Sequence, residues 1–273
     1  MTNPFSYEGK RVVVTGAATG VGAALIEVLA ELGAEHVTVL DVKPPTGPHD
    51  TYVEVNLGDE TAVDAAASEI TGPVHALFNN AGVADTSPPR TVIGVNYLAL
   101  RRLSEGLLDR IPEGGAIVNT ASTAGGQWAS HIEQINELLD LSDWSQTLDW
   151  IDTNLDSLGV QPYFFSKELV QVYTMRSSRP TIRRGVRTNS VCPSPIDTPL
   201  LDDFRKTMSD KIIDWNVSET NGRLVTAREV ATVLAFLGSD AAAYVNGVNL
   251  LVDAGFTAAM TTGQVDFTAL AAP

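Results

Sequence analysis

The feature that most constrains this 273-residue chain is an alternation of two sequence periods. Short β-branched runs are separated by longer stretches with helical spacing. That order suits a parallel sheet, because parallel strands need crossovers and the crossover helices cover the sheet's faces. Arg11–Thr15 reads as a first strand, followed by a Gly-rich turn and a helix through Leu32 that Gly33 stops. His36–Asp41, Thr51–Val55, Val74–Phe78, Ala116–Thr120, Val186–Val191 and Asn249–Val252 read as further strands. Helices are expected from Glu60 to Ile70, with Asp59 as N-cap, from about Thr91 to Asp109, and around Tyr163. No internal repeat or interdomain linker breaks the pattern, so one α/β domain over residues 1–273 is expected.

One segment departs from the alternation. From His131 to Val160 there is no strand pattern and no Lys or Arg, but there are seven acidic residues. Ile132, Ile135 and Leu139 recur at helical spacing, as do Trp144, Leu148, Ile151, Leu155 and Leu158, with Ser142 or Asp143 as cap and Gly159 as stop. The expectation is an inserted helical hairpin over about 131–160. It reads equally well as a docked decoration and as a lid over a substrate. In the second case Trp128, Trp144 and Trp150 would line an apolar pocket.

A single domain of this length buries roughly 75% of its extended-chain surface and needs no disulfide or metal to fold. The lone Cys192 lies in an apolar run, and His36, His49, His75 and His131 show no ligand spacing, so no metal site is expected. A net charge of −15 repels phosphate backbones and anionic lipid, which argues against nucleic acid and membrane surfaces as partners. The first residues lack a basic stretch followed by an apolar one, and no apolar run reaches membrane-spanning length; a cytoplasmic enzyme is expected.

Four patterns carry chemistry. Thr15-Gly16-Ala17-Ala18-Thr19-Gly20-Val21-Gly22 follows a strand and opens a helix, where glycines let backbone approach a pyrophosphate seated at the helix N-terminus. Its Gly-x-x-x-Gly-x-Gly spacing departs from the Gly-x-Gly-x-x-Gly fingerprint. Asp41 ends the second strand, 19 residues after Gly22. A carboxylate there accepts from both ribose hydroxyls of an adenosine and repels a 2′-phosphate, favouring NAD over NADP; the bland alternative is a turn former. Asn79-Asn80-Ala81-Gly82 follows the fourth strand and either lines the crevice of an open sheet or is a simple turn. Finally, Tyr163 and Lys167 share a helix face downstream of Ser122. A phenol, an ammonium and a hydroxyl can run reversible proton transfer at a carbonyl, and a nearby cation favours phenolate. The Tyr/Lys pair alone also suits an ordinary amphipathic helix.

Together these residues resemble the classical branch of the short-chain dehydrogenase/reductase family. The matches run in family order: Thr15–Gly22, Asp41, Asn79–Gly82, Asn96 within Val95-Asn96-Tyr97, Ser122, Tyr163/Lys167, Pro193-Ser194-Pro195-Ile196-Asp197-Thr198 and Val252-Asp253-Ala254-Gly255. The resemblance implies a doubly wound, Rossmann-like parallel sheet with Tyr163 as general acid/base. It implies that Lys167 lowers the phenol's pKa and holds the nicotinamide ribose, that Ser122 bonds the substrate oxygen, and that Asn96 holds a helix kink and a relay water. Gly16, Gly20, Val21 and Gly22 would surround the pyrophosphate. Asn56 and Leu57 would meet the adenine, Asn80, Ala81 and Gly82 the adenosine side, and Pro193, Ile196 and Thr198 the nicotinamide end. Ala121 stands where the family has the first serine of a pair, so Ser122 takes the active position ahead of Thr123. Ser194 and Ala254 replace usual glycines.

Ser122 and Tyr163 lie 41 positions apart, a longer gap than most family members have. That gap resembles the bacterial 3α-hydroxysteroid dehydrogenase/carbonyl reductase subgroup, which coniferyl-alcohol-type dehydrogenases also resemble. The expected function is NAD-dependent interconversion of a secondary cyclic, steroidal or aromatic alcohol and its ketone or aldehyde. An NADPH-dependent carbonyl reductase is the main rival, and a non-catalytic nucleotide-binding protein is the reading from another class. The family habit implies a homodimer or homotetramer.

Overall fold

The chain opens on β1 (Arg11–Thr15), whose Val12, Val13 and Val14 are buried, as suits a strand covered on both faces. After it come α1 (Gly20–Glu31), β2 (His36–Asp41), β3 (Thr51–Glu54), α2 (Glu60–Glu69) and β4 (Ala76–Asn79). The middle of the chain holds α3 (Pro89–Ile93), a π-helical turn at Gly94–Leu98, α4 (Ala99–Leu107), β5 (Ala116–Thr120), α5 (Ile132–Asp140) and α6 (Trp144–Leu158). The remainder comprises α7 (Pro162–Ile182), β6 (Arg187–Pro193), β7 (Ile196–Asp197), α8 (Leu201–Met208) and α9 (Asp210–Ser218), then β8 (Val225–Thr226), α10 (Ala227–Gly238), β9 (Asn249–Val252) and α11 (Phe256–Thr261). This computed structural model describes residues 3–265; residues 1–2 and 266–273 of the expected domain lie outside the described residues.

Among the described residues, seven parallel strands form one sheet in the order β3-β2-β1-β4-β5-β6-β9. The order reverses between β1 and β4, so the crossovers leave to opposite faces and a crevice opens at the strands' carboxyl ends. One core lies between the sheet and α2, α4 and α7, and includes Leu77, Leu103, Ile117 and Phe165. The other lies under α1 and α10, with Val14, Leu25, Phe78 and Leu234. The fold is the single α/β domain expected from the alternation.

Two local details differ from expectation. The helix expected over Thr91–Asp109 is not uniform: it widens into the π-helical turn at Gly94–Leu98, where Asn96 turns its amide inward to bond a neighbouring loop. The stretch from residue 200 to 248, which carried no expected element, forms α8, α9 and α10. A box closes the start of α10: Thr226 accepts from Glu229 N–H while Glu229 accepts from Thr226 N–H.

The segment between β5 and α7 forms α5 and α6. Of its two candidate caps, Asp143 accepts from the Gln146 N–H, and Gly159 ends α6 at φ 65°. Both helices dock on the core: Ile135, Leu138 and Ile151 are buried there, and Trp150 stacks on Phe165 at 6.1 Å. Two arginines hold the carboxyl end of α5. Arg101 on α4 donates to the carbonyls of Leu139 (3.2 Å) and Leu141 (2.7 Å), and Arg176 on α7 pairs with Asp140 at 2.7 Å. These satisfy carbonyls a helix end leaves open and oppose its negative pole. Arg101→Met should cost about 1–3 kcal/mol locally. Hydrogen exchange would then quicken across 132–158 while β1, β4 and β5 stay protected; unchanged exchange would show that α5 docks without this arginine.

Candidate active site

A cleft of ≈ 980 Å³ opens at the carboxyl edge of the sheet. Its floor is the junction of the turn after β1 with the loop after β4. Thr15 Oγ1 accepts the N–H groups of Asn80 and Ala81, each at 3.0 Å. Asn80 Nδ2 donates back to the carbonyls of Thr15 (3.2 Å) and Gly16 (3.0 Å). Gly16 has φ 71°, and a Cβ there would sit 2.6 Å from the Ala81 backbone, so only glycine allows this contact. Asp41, at the end of β2, accepts the Ala18 N–H at 2.9 Å and the Lys43 N–H at 3.1 Å.

Gly16, Gly20, Val21, Asp41, Asn56, Leu57, Asn80, Ala81, Gly82, Pro193, Ile196 and Thr198 all line the cleft. Gly20 and Val21 begin α1, and its N-cap Thr19 leaves the first turn without a side-chain acceptor. That end can receive a pyrophosphate, and with Gly16 and Asp41 the residues present fit a dinucleotide. Gly22, expected near the pyrophosphate, is not among these lining residues; a Cβ there would lie 2.1 Å from the Gly16 carbonyl, so glycine at this position lets α1 close onto the turn.

At the other end stand Ser122, Tyr163 and Lys167, all bordering the cleft. Lys167 Nζ lies 5.6 Å from the centre of the Tyr163 ring and donates to the Thr120 carbonyl at 2.9 Å. Ser122 Oγ accepts the Ala124 N–H at 3.1 Å, and its carbonyl accepts from Gln171 Nε2 at 2.8 Å, which fixes its orientation. Thr123 points elsewhere, donating to the Pro193 carbonyl. Asn96 is buried behind the cleft rather than in its wall. Its amide bonds Val83 N–H (2.8 Å), the Val83 carbonyl (3.0 Å) and Ser166 Oγ (3.0 Å), tying the loop after β4 to the turn of α7 that bears Tyr163.

The wall facing Tyr163 belongs to α8, α9 and α11, through Leu200, Phe204, Met208, Ile213, Phe256 and Met260. The Phe204 ring centre is 4.7 Å from that of Tyr163. Trp128, Trp144 and Trp150 do not line the cleft; they pack into the core beside α3 and α7. The docked reading of that segment therefore holds, because its apolar faces are spent on the body of the domain. Apolar residues at 201, 204, 208 and 212, spaced by three and four just after Thr198, were the signal for the true wall.

Residues 10–133 match a family model described as short chain dehydrogenase, and 154–257 one described as Enoyl-(Acyl carrier protein) reductase. The chain is 32% identical over 246 residues to the coniferyl-alcohol dehydrogenase of a Pseudomonas species, covering 90% of this chain and 96% of that one. It superposes with a TM-score of 0.77 on the 3-alpha-hydroxysteroid dehydrogenase of Pseudomonas sp. B-0831 complexed with NADH (28% identity; 93% and 99% of the two chains). A Beutenbergia cavernae structure described as an NAD(P)-dependent gluconate 5-dehydrogenase, with bound NADP, gives 0.72 (27% identity; 94% and 100%).

Burial governs the charges here. It pushes the Tyr163 phenol well above the ordinary range; a hydrogen bond with Ser122 pulls the other way and the Asp85 carboxylate adds to the rise. Burial also brings Lys167 down to about 8. The expectation that Lys167 depresses the phenol thus meets a larger opposing effect, since desolvation penalises both charged forms. The sign for stability follows. With a folded pKa below its unfolded value, Lys167 binds fewer protons folded, so its contribution is complete above 10.5 and is lost as pH falls through 8. Charging it at pH 7 costs on the order of 3 kcal/mol. Lys167→Met should therefore melt about 2–6 °C higher than wild type at pH 7. That gap should close as pH rises from 8 to 10.5; a pH-independent gap in a melting series would contradict this assignment.

Proposed function

The chain belongs to the short-chain dehydrogenase/reductase family and is an oxidoreductase acting on CH–OH groups with NAD(P); from that premise we propose that it interconverts an apolar, ring-bearing alcohol and its ketone or aldehyde, with NAD as cofactor and Tyr163 as acid/base. The observation that carries the reading is the meeting of Ser122, Tyr163 and Lys167 beside an apolar wall built around Phe204.

Each residue has a task that its surroundings support. Tyr163 takes the proton of the alcohol hydroxyl at its phenol oxygen and returns it in the reverse direction. Ser122 donates to the same substrate oxygen and steadies charge as the carbonyl forms. Lys167 Nζ, under the Tyr163 ring, offsets negative charge there. The nicotinamide supplies the hydride acceptor or donor when bound. Asn96 keeps the loop after β4 and α7 in register, so that Gly82 and Lys167 stay close; a Cβ on Gly82 would be 3.7 Å from Lys167 Nζ.

The preference for NAD rests on Asp41, whose carboxylate would repel a 2′-phosphate. Lys43 also borders the cleft and supports the NADPH rival. The apolar wall suits a ring. Lys43 and Lys167 are the basic side chains bordering the cleft among the described residues, and Asp203 adds a negative one, which disfavours carboxylated or phosphorylated substrates.

Cofactor reduction with coniferyl alcohol, cyclohexanol and a 3α-hydroxysteroid, using NAD and NADP in parallel, tests both parts. Wild type should turn over at least one of the three with NAD preferred, and Asp41→Asn should narrow that preference. Tyr163→Phe should lower kcat by about 10²–10⁴-fold while NAD binding persists. A Tyr163→Phe enzyme at the wild-type rate would end the acid/base assignment, and a wild type that favours NADPH would end the role given to Asp41.

A further inference from the structure

The helix that carries Tyr163 starts without a cap of its own. Gln161, at its N-cap position, makes no side-chain bond, and Pro162, which follows, has no N–H. The next N–H belongs to Tyr163 itself, and Asp85 Oδ1 accepts it at 2.8 Å from 78 residues earlier. Asp85 stands three positions beyond Gly82, on the loop that lines the cleft.

Capping explains only half of this side chain. One oxygen takes the Tyr163 N–H, but the other, Oδ2, is buried with no hydrogen-bond partner among the described residues. A bare buried carboxylate oxygen is costly, and a serine would cap as well without it. No ion pair neutralises it among the described residues, and Arg90, on the following α3, is engaged by Asp149 and Asp152. Burial raises the pKa of this carboxyl while the Tyr163 N–H pulls it down, so a charge that capping does not require is held at a cost beside the start of the Tyr163 helix.

We propose that Asp85 is a positioning residue for Tyr163, which seats the start of α7 against the cofactor-lining loop and whose charge sets the pH at which the phenol releases its proton. The proposal rests on the reading of Tyr163 as acid/base. The groups facing the phenol are few. Lys167 comes from its own helix, the Ser122 hydroxyl from the end of β5 and the neutral Phe204 ring from α8, while Asp85 comes from the loop. The π-helical turn contributes Asn96, which is uncharged and one residue removed, through Val83 and Ser166. Asp85 is thus the anion that opposes phenolate among the described residues; burial raises its own pKa and the Tyr163 N–H works against that rise.

Asp85→Asn separates charge from cap, because the amide oxygen still accepts the Tyr163 N–H. The measurement is kcat/KM for alcohol oxidation against pH, with NAD and whichever alcohol of the three turns over fastest. Asp85→Asn should move the acidic limb down by about 0.5–1 pH unit, which is roughly 3–10-fold faster turnover below the wild-type midpoint, with KM for NAD unchanged. Asp85→Ala, which loses the cap too, should show the same displacement together with a lower Tm and a reduced kcat. A profile for Asp85→Asn that superimposes on wild type overturns the proposal, as does an Asp85→Asn enzyme that loses as much kcat as Asp85→Ala. Tyr163→Phe measured alongside separates the two levels. If it keeps the wild-type limb and rate, the acid/base reading has failed and this inference with it; if it is inactive while Asp85→Asn is unshifted, this inference fails alone.

Discussion

Everything at the cleft depends on how closely the turn after β1 approaches the loop after β4. At that point the crossovers depart to opposite faces, so the backbone there has no sheet partner on one side. The contact replaces the missing ladder with a short set of specific bonds. One threonine hydroxyl, on Thr15, accepts two consecutive N–H groups, and the Asn80 amide answers two carbonyls. At about 0.5–1.5 kcal/mol each, the four bonds are worth ~2–6 kcal/mol, but only while Gly16 leaves room for Ala81. Thr120 extends the same seam to β5, donating to Asn80 Oδ1 at 3.3 Å. The cleft-lining residues after β1 and β4 and the Ser122 end of β5 are thereby parts of one rigid edge.

That rigidity is set against an electrostatic cost. Lys167 and Tyr163 are both buried, and burial drives each toward its neutral form, the lysine down and the phenol up. A pair built only for stability would be apolar. Oriented dipoles and hydroxyls help offset the penalty: the Thr120 carbonyl for Lys167 and Ser122 for the phenol. Asp85 works against the phenolate. Such opposed placements make sense where a proton must leave and return with little bias, because neither protonation state is then locked in.

Much of this was legible along the chain, and what was not has a common physical cause. The Gly-rich turn, Asp41, and the Tyr163/Lys167 spacing are local patterns, each fixed by backbone geometry within one element and its flanking turn. Gly22 is less legible, because a glycine's sequence position does not distinguish close approach to a ligand from close approach to its own chain; the structure shows the latter, with a Cβ there 2.1 Å from the Gly16 carbonyl. Asp85 was missed because its partner is 78 residues away, and a cap supplied from another loop leaves no S/T-x-x-E pattern to find. Asn96 was placed through resemblance alone, since a π-helical turn has no sequence signature comparable to a cap.

The cleft's outer wall shows most clearly how burial decides function. Two segments compete for that role on composition: the acidic, tryptophan-bearing stretch before α7 and the charged stretch after β7. Both are amphipathic, so periodicity cannot choose between them. What separates them is where the apolar face is already committed. Trp144 and Ile151 are buried against the domain, and Arg101 and Arg176 anchor α5 from α4 and α7, leaving that segment no free apolar face. The helices α8 and α9 differ. They meet at Ser209, whose φ of 90° lies in a region that side chains rarely adopt and that costs about 1–3 kcal/mol. Offsetting it, Ile213 and Trp215 are buried within the same wall, Trp215 edge-on to Phe256 at 5.2 Å, and Phe204 and Met208 border the cleft with the Phe204 ring against Tyr163. A strained joint held by this packing is the arrangement by which a short segment sets what can lie against Tyr163.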